Sequence, residues 1–137
     1  MKWLLDTNVC VDVLRGRVDV IVRLRECPPH DLGVSVVTVF ELIQGAGRAP
    51  EKYRVDERRK VAGFLAKLNH VSFDEGCAMR AGEINAALLN QGTPVSVTDV
   101  FIAATALELG LPVVTSNVRD FDKIEGLAVV DWRKNGL

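Results

Sequence analysis

The stretch that most constrains this chain is its beginning, Lys2-Trp3-Leu4-Leu5-Asp6-Thr7-Asn8. An apolar run ends abruptly in a carboxylate, a hydroxyl and an amide. A short run of this kind suits a strand buried on both faces, as in parallel sheets. Residues 9–16, closed by Gly16, read as a short helix. Asp6 then stands where a strand hands over to a helix, the edge at which open α/β sheets place their ligands. Asp, Thr and Asn are also ordinary helix N-caps, and in isolation capping accounts for them better. What matters is whether other acids reach the same edge.

The rest of the chain alternates in the same way. Residues 18–26 carry Val20, Ile21 and Leu24 at helical spacing and stop at Pro28-Pro29. A strand is predicted at 32–35, a helix at 36–44, and the clearest loop of the chain at 45–50, Gly45-Ala46-Gly47-Arg48-Ala49-Pro50. Helical periodicity resumes over 51–68. A third strand is expected at 70–73, and Asp74 can cap a helix over 75–91. A strongly apolar helix follows at 97–109, ended by Gly110, then a buried strand at 111–115, a turn or half-helix at 117–121 and a last strand at 127–131. Alternating strands and helices favour an α/β fold with a mainly parallel sheet covered on both faces.

The length, 137 residues, fits a single domain over 1–137, and the 48% hydrophobic and 26% charged composition is that of a globular protein. Lys+Arg 17 against Asp+Glu 18 gives no global basic signature, so any nucleic-acid site must come from local patches. Cys10, Cys27 and Cys77 are odd in number and lack metal-ligand spacing, which points to buried or free thiols in a reducing compartment. No apolar stretch approaches membrane-spanning length and the start lacks a signal-peptide pattern, so the expected location is cytoplasmic, with no membrane partner.

Four acids recur at similar places. Asp6 ends the first strand, Glu41 lies in the helix after the second, Asp99 opens the apolar helix, and Asp120 follows Thr115-Ser116-Asn117. Ser96-x-x-Asp99 and Thr38-x-x-Glu41 each match a capping box, so every acid alone has a structural explanation. The four together do not. In a parallel sheet they would converge on one edge, where like charges repel unless a cation is present. Such hard oxygen ligands suit Mg²⁺ or Mn²⁺, and metal-assisted attack of water on a phosphodiester is the chemistry they fit.

At this point a resemblance emerges. Leu5-Asp6-Thr7-Asn8, the run from Ser35 through Glu41 to Gly45, Thr98-Asp99-Val100-Phe101-Ile102-Ala103-Ala104, and Val114-Thr115-Ser116-Asn117-Val118-Arg119-Asp120-Phe121 resemble the successive motifs of the PIN-domain family, particularly its VapC-type ribonuclease toxins. The ending, Ile124-Glu125-Gly126-Leu127 through Val130-Asp131-Trp132, is similar too. The resemblance implies a three-layer α/β/α fold and a Mg²⁺- or Mn²⁺-dependent endoribonuclease, the toxin of a toxin–antitoxin pair, with RNA as substrate. It also implies a cognate antitoxin as partner and a homodimer. It places Asp6, Glu41 and Asp99 on the family's main acidic positions. Many relatives carry an acid where this chain has Asn117, and others pair an Asn there with an acid three residues later. This chain follows the second pattern, so Asp120 takes the fourth catalytic and metal-binding role and Asn117 supports it.

Thr7 and Thr115 are candidates to hydrogen-bond the acids or a metal-bound water, with N-capping or strand-end satisfaction as the alternative for each. Asn8 either orients Asp6 or caps the helix that follows. Arg15, Arg17, Arg48, Lys52 and Arg54 could follow RNA phosphates, although a solvated face of mixed charge explains each singly. His30 and His70 have no motif partner. Trp3 and Trp132 are read as packing residues. The competing reading is a catalytically weak PIN-fold module that binds RNA or protein. A receiver-like domain is disfavoured because Val113-Val114-Thr115 leads to no lysine.

Overall fold

The computed structural model describes residues 1–133. Five short strands, β1 (Trp3–Leu5), β2 (Leu32–Ser35), β3 (Asn69–Val71), β4 (Val113–Val114) and β5 (Val129–Val130), form one sheet in the order β3-β2-β1-β4-β5. Every neighbouring pair is parallel. The helices are α1 (Thr7–Leu14), α2 (Val18–Arg25), α3 (Val36–Gly47), α4 (Arg54–Leu65), α5 (Glu75–Asn90), α6 (Val97–Leu109) and α7 (Val118–Phe121). None of them is long and apolar enough to cross a membrane.

Successive strand residues face opposite sides of a sheet, and here both sides are covered. Leu4 and Val113 turn one way and pack with Ala81 and Leu88 of α5, Ile102 and Ala106 of α6, and Phe121 of α7. Leu5 and Val114 turn the other way, against Val9, Val20, Leu42, Val61 and Leu65 of α1 to α4. The central strands β1 and β4 are therefore continuous apolar runs rather than alternating ones, whereas the edge strand β3, Asn69-His70-Val71, is polar and largely exposed. This is the expected three-layer α/β/α arrangement.

Two local expectations are corrected. The loop expected to begin at Gly45 begins later, because α3 continues to Gly47. Ala46 is buried in the same cluster as Val61 and Leu65, and that packing outweighs the poor helix propensity of two glycines. The helix expected over 51–68 opens as a 3-10 turn, Glu51–Tyr53, and becomes α-helical only over Arg54–Leu65. Elsewhere the ends follow capping chemistry. Ser35 accepts from Val37 N at 3.1 Å and Asp74 from Cys77 N at 2.9 Å. Gly110 ends α6 in the left-handed region, φ 66°, where a side chain would be strained.

The end of the described chain is tied back to its start. Trp132 is buried and meets Trp3 edge-on, ring centroids 6.1 Å apart, so both indoles are packing residues. Arg133 then forks onto Asp12 of α1, Nε to Oδ2 at 2.8 Å and Nη2 to Oδ1 at 2.7 Å. Asp12 is only 8% exposed, so removing its partner strands a desolvated carboxylate. Arg133→Met is expected to lower stability in urea unfolding by on the order of 2 kcal/mol. Adding Asp12→Asn should recover part of that loss. An unchanged midpoint for the single variant would mean that solvent already satisfies Asp12.

A candidate acidic active site

Because the strands are parallel, their carboxyl ends share an edge, and the acids approach it from four directions. Asp6 follows β1 directly and is 1% exposed. It is the N-cap of α1, with Oδ1 accepting from Thr7 N at 2.7 Å. Its other oxygen, Oδ2, accepts from Thr115 Oγ1 at 2.7 Å, a bond between residues at the ends of β1 and β4. Capping and site formation are thus the same structural fact at Asp6. Asn8 does neither task expected of it: it is an exposed residue within α1, and the cap is Asp6.

Glu41 arrives on α3. Thr7 Oγ1 donates to its Oε1 at 2.7 Å and lies 3.0 Å from Thr38 Oγ1. The capping box expected at Thr38 and Glu41 does not form, because Ser35 is the N-cap and Thr38 is already inside the helix. Thr38 is fully buried and joins the site instead. The other expected box is half realised, with Ser96 Oγ accepting from Asp99 N at 3.3 Å.

Asp99 and Asp120 meet through an amide. Asn117 Nδ2 donates to Asp99 Oδ2 at 3.3 Å and to Asp120 Oδ2 at 3.1 Å, while Asn117 N donates to Thr115 Oγ1 at 2.9 Å. Lys123 Nζ reaches Asp120 Oδ1 at 3.3 Å. Glu41, Thr7, Asp6, Thr115, Asn117, Asp99 and Asp120 therefore form one continuous hydrogen-bonded chain. All four predicted acids are in it, with three of the four predicted supporters.

The electrostatics divide the acids. Burial pushes the Asp6 carboxyl from the ordinary 3.8 up to about 6, against the pull of the Thr115 hydrogen bond, and the charges of Asp99 and Glu41 push it further the same way. Asp99 is raised as well, first by burial, then by Glu41 and Asp120. Asp120 goes down instead, because Asn117 donates to it and Lys123 sits beside it. A uniformly raised set of carboxyls is thus not what the fold builds. Beneath the site the Cys10 thiol is buried and pushed far up by desolvation and by Asp6, which keeps it an unreactive core thiol.

Among the described residues, no group of three or more His, Cys, Asp or Glu side chains is closed into a metal-binding set. Hydrogen bonds tie carboxylate oxygens to Thr7, Thr115, Asn117 and Lys123. The donor chemistry nevertheless fits a hard divalent cation, which binds through one or two carboxylates and keeps several waters. Asp6, Glu41 and Asp99 are the residues free of a cationic neighbour within the chain of bonds.

Sequence reasoning missed Thr38, hidden in an apparent capping box, and Lys123, whose signal was its place three residues after Asp120. The histidines lie apart from this chain of bonds: His70 Nε2 is 2.7 Å from Leu65 O, and His30 is exposed beside Asp31. Arg17 pairs with Asp19 and Arg54 holds Ala49 O, while Arg15, Arg48 and Lys52 are exposed.

A carboxyl that titrates higher in the fold than in the unfolded chain takes up a proton on folding at intermediate pH. Metal-free protein should therefore become more stable as pH falls through about 6 toward 3.8 and less stable as it rises. Asp6→Asn should flatten that slope and, in chelator near neutrality, gain on the order of 3 kcal/mol at most. Thermal unfolding across the range measures both. A variant markedly less stable than wild type throughout would make Asp6 a cap and nothing more.

A sequence model of the PIN domain matches residues 3–127. The chain is 36% identical over 134 residues to the tRNA(fMet)-specific endonuclease VapC of Salmonella typhimurium, covering 96% of this chain and 98% of that one. It is 32% identical over 135 residues to Ribonuclease VapC2 of Haemophilus influenzae, covering 96% and 98%. The crystal structure of DNA-bound VapBC from Salmonella typhimurium superposes with a TM-score of 0.91 at 33% identity, covering 97% of this chain and 99% of that one. The chain belongs to the PIN-domain family, and within it is similar to the VapC-type members.

Proposed function

We propose that this chain, as one PIN domain over 1–137 of which 134–137 lie outside the described residues, is a Mg²⁺- or Mn²⁺-dependent endoribonuclease and the toxin of a toxin–antitoxin pair. The observation that carries this reading is the convergence of Asp6, Glu41, Asp99 and Asp120 on one sheet edge, with Asp6 buried and raised to about 6. Keeping a buried carboxylate among other acids costs stability, and a scaffold without catalysis has no use for it.

When bound, a hard divalent cation supplies an activated water and neutralises charge on the phosphodiester. Asp6, Glu41 and Asp99 would hold it, with Asp120 as the fourth acid. Thr7 and Thr115 fix the oxygens of Glu41 and Asp6, and Asn117 sets Asp99 and Asp120 relative to each other. Hydrolysis would form a bond from the water oxygen to phosphorus as the bond to a ribose oxygen breaks, with a carboxylate of the cluster taking the water's proton and the departing oxygen taking one from solvent. Exposed Arg15, Arg48 and Lys52 are the cations of the expected set left to follow the phosphates. Transfer RNA is the first substrate class to test, since the Salmonella relative is named for cleaving one.

Relatives and surface both bear on the partners. Several similar proteins were solved as VapBC complexes, which supports a cognate antitoxin as partner. A groove of about 640 Å³ between α1, α2 and α4, with an apolar wall of Leu14, Ile21, Leu24 and Phe64 and with Arg25, Arg59, Lys60 and Lys67 also lining it, could seat an amphipathic partner helix. Val36, Phe40 and Ile43 form an exposed apolar stripe on α3, which supports homodimer formation.

Purified protein free of antitoxin should cleave transfer RNA with Mg²⁺ and lose that activity in excess chelator. Asp99→Asn should remove cleavage while leaving the fold intact, because charge is lost and volume is not. Full cleavage in chelator would reject the metal mechanism, and normal cleavage by the variant would leave Asp99 a helix-end acid. Wild-type protein that binds RNA without cutting it under any divalent cation would favour the binding-module reading.

The antitoxin is expected to deliver an arginine whose planar donors satisfy the acids and exclude the cation. Co-expression with the neighbouring gene, followed by complex and cleavage measurements, tests this. Inhibition that survives replacement of every partner arginine and lysine near the acids would reject it.

A further inference from the structure

Thr7 Oγ1 stands between two oxygens, Glu41 Oε1 at 2.7 Å and Thr38 Oγ1 at 3.0 Å. A hydroxyl has one proton to give and lone pairs to receive with. The Glu41 carboxylate can only accept, so the Thr7 proton goes to it. The Thr38 proton must then go to Thr7. The direction is fixed as Thr38 to Thr7 to Glu41.

This use of a helical threonine departs from the usual one. Such a hydroxyl commonly returns to the carbonyl one turn back, as Thr105 does on α6, donating to Phe101 O at 2.8 Å. Thr38 is fully buried on α3 and spends its proton across helices, on a side chain of α1. The relay therefore spans the two helices that bring Asp6 and Glu41 to the edge.

We propose that Thr38 is a positioning residue of the nuclease site: acting through the Thr7 hydroxyl, it holds Glu41 Oε1 where Glu41 can share a cation with Asp6 and Asp99. The proposal rests on the nuclease reading given above. Its physical content is that a Thr7 hydroxyl receiving a hydrogen bond is oriented and polarised toward Glu41. Without Thr38 it is free to rotate, and Glu41 loses its fixed partner.

The variants are Thr38→Val, which keeps the shape and removes the hydroxyl, Thr38→Ser, which keeps the hydroxyl, Thr7→Val, and the Thr7→Val/Thr38→Val pair. Three readouts apply: thermal unfolding in chelator, calorimetric Mn²⁺ binding without RNA, and single-turnover cleavage of transfer RNA. Thr38→Val is expected to stay folded and to lose on the order of tenfold in both Mn²⁺ affinity and cleavage rate, with RNA binding little changed. Thr38→Ser should restore both. In the Thr7→Val background, removing the Thr38 hydroxyl should do nothing further. If valine does not pack, Thr38→Ala is read the same way.

Wild-type Mn²⁺ affinity and cleavage in Thr38→Val would overturn the proposal. So would losses that add to those of Thr7→Val, or a serine variant as impaired as valine, since packing would then be the cause. Failure of the wild type itself to bind Mn²⁺ or cut RNA would reject the nuclease reading and this proposal together.

Discussion

A carboxylate taken out of water at the end of a central strand is the constraint on which this architecture turns. Asp6 is almost wholly desolvated, and β1 has no freedom to expose it because Leu4 and Leu5 are locked into opposite cores. Compensation has to come from neighbouring strands and from the first turn of α1. Thr115 arrives from β4 and Thr7 from α1, and each satisfies one oxygen. A parallel sheet with β1 flanked by β2 and β4 puts those groups on the same edge. An antiparallel pairing would send one of them to the opposite end.

The two cores make the placement rigid. Helices α1 to α4 on one face and α5 to α7 on the other are each anchored through different residues of the same short strands. Asp6 and Glu41 come from the first group, Asp99 and Asp120 from the second. The acidic edge is where the two layers face each other across the sheet. It is cross-linked by Thr115 and Asn117, which follow β4 and belong to neither layer's interior.

Much of this was legible beforehand, and the failures have physical causes. The central strands β1 and β4 could be read because they are buried and carry unbroken apolar residues. The spans expected for the third and fourth strands ran past the paired residues because Phe73 and Leu111 are apolar without being paired in the sheet. The end of α3 was misread because glycine propensity is local, whereas Ala46 gains its burial from α4. At the site, the acids were recognisable by their positions after strands. Thr38 was not, because its sequence context is that of a cap. Its actual partner lies 31 residues away. Asn8 erred the other way: proximity to Asp6 in sequence suggested contact, but the first helical turn carries it outward to solvent.

The Asn117 amide carries a consequence for the order of events in the protein's life. It joins Asp99 to Asp120 with a neutral group, and Thr7 and Thr115 do the same for Glu41 and Asp6. Mutual repulsion is thereby eased by permanent parts of the chain. The acidic edge is completed as the chain folds, because the donors that set its carboxylates in place are carried by the same strands and helices that bring the acids together.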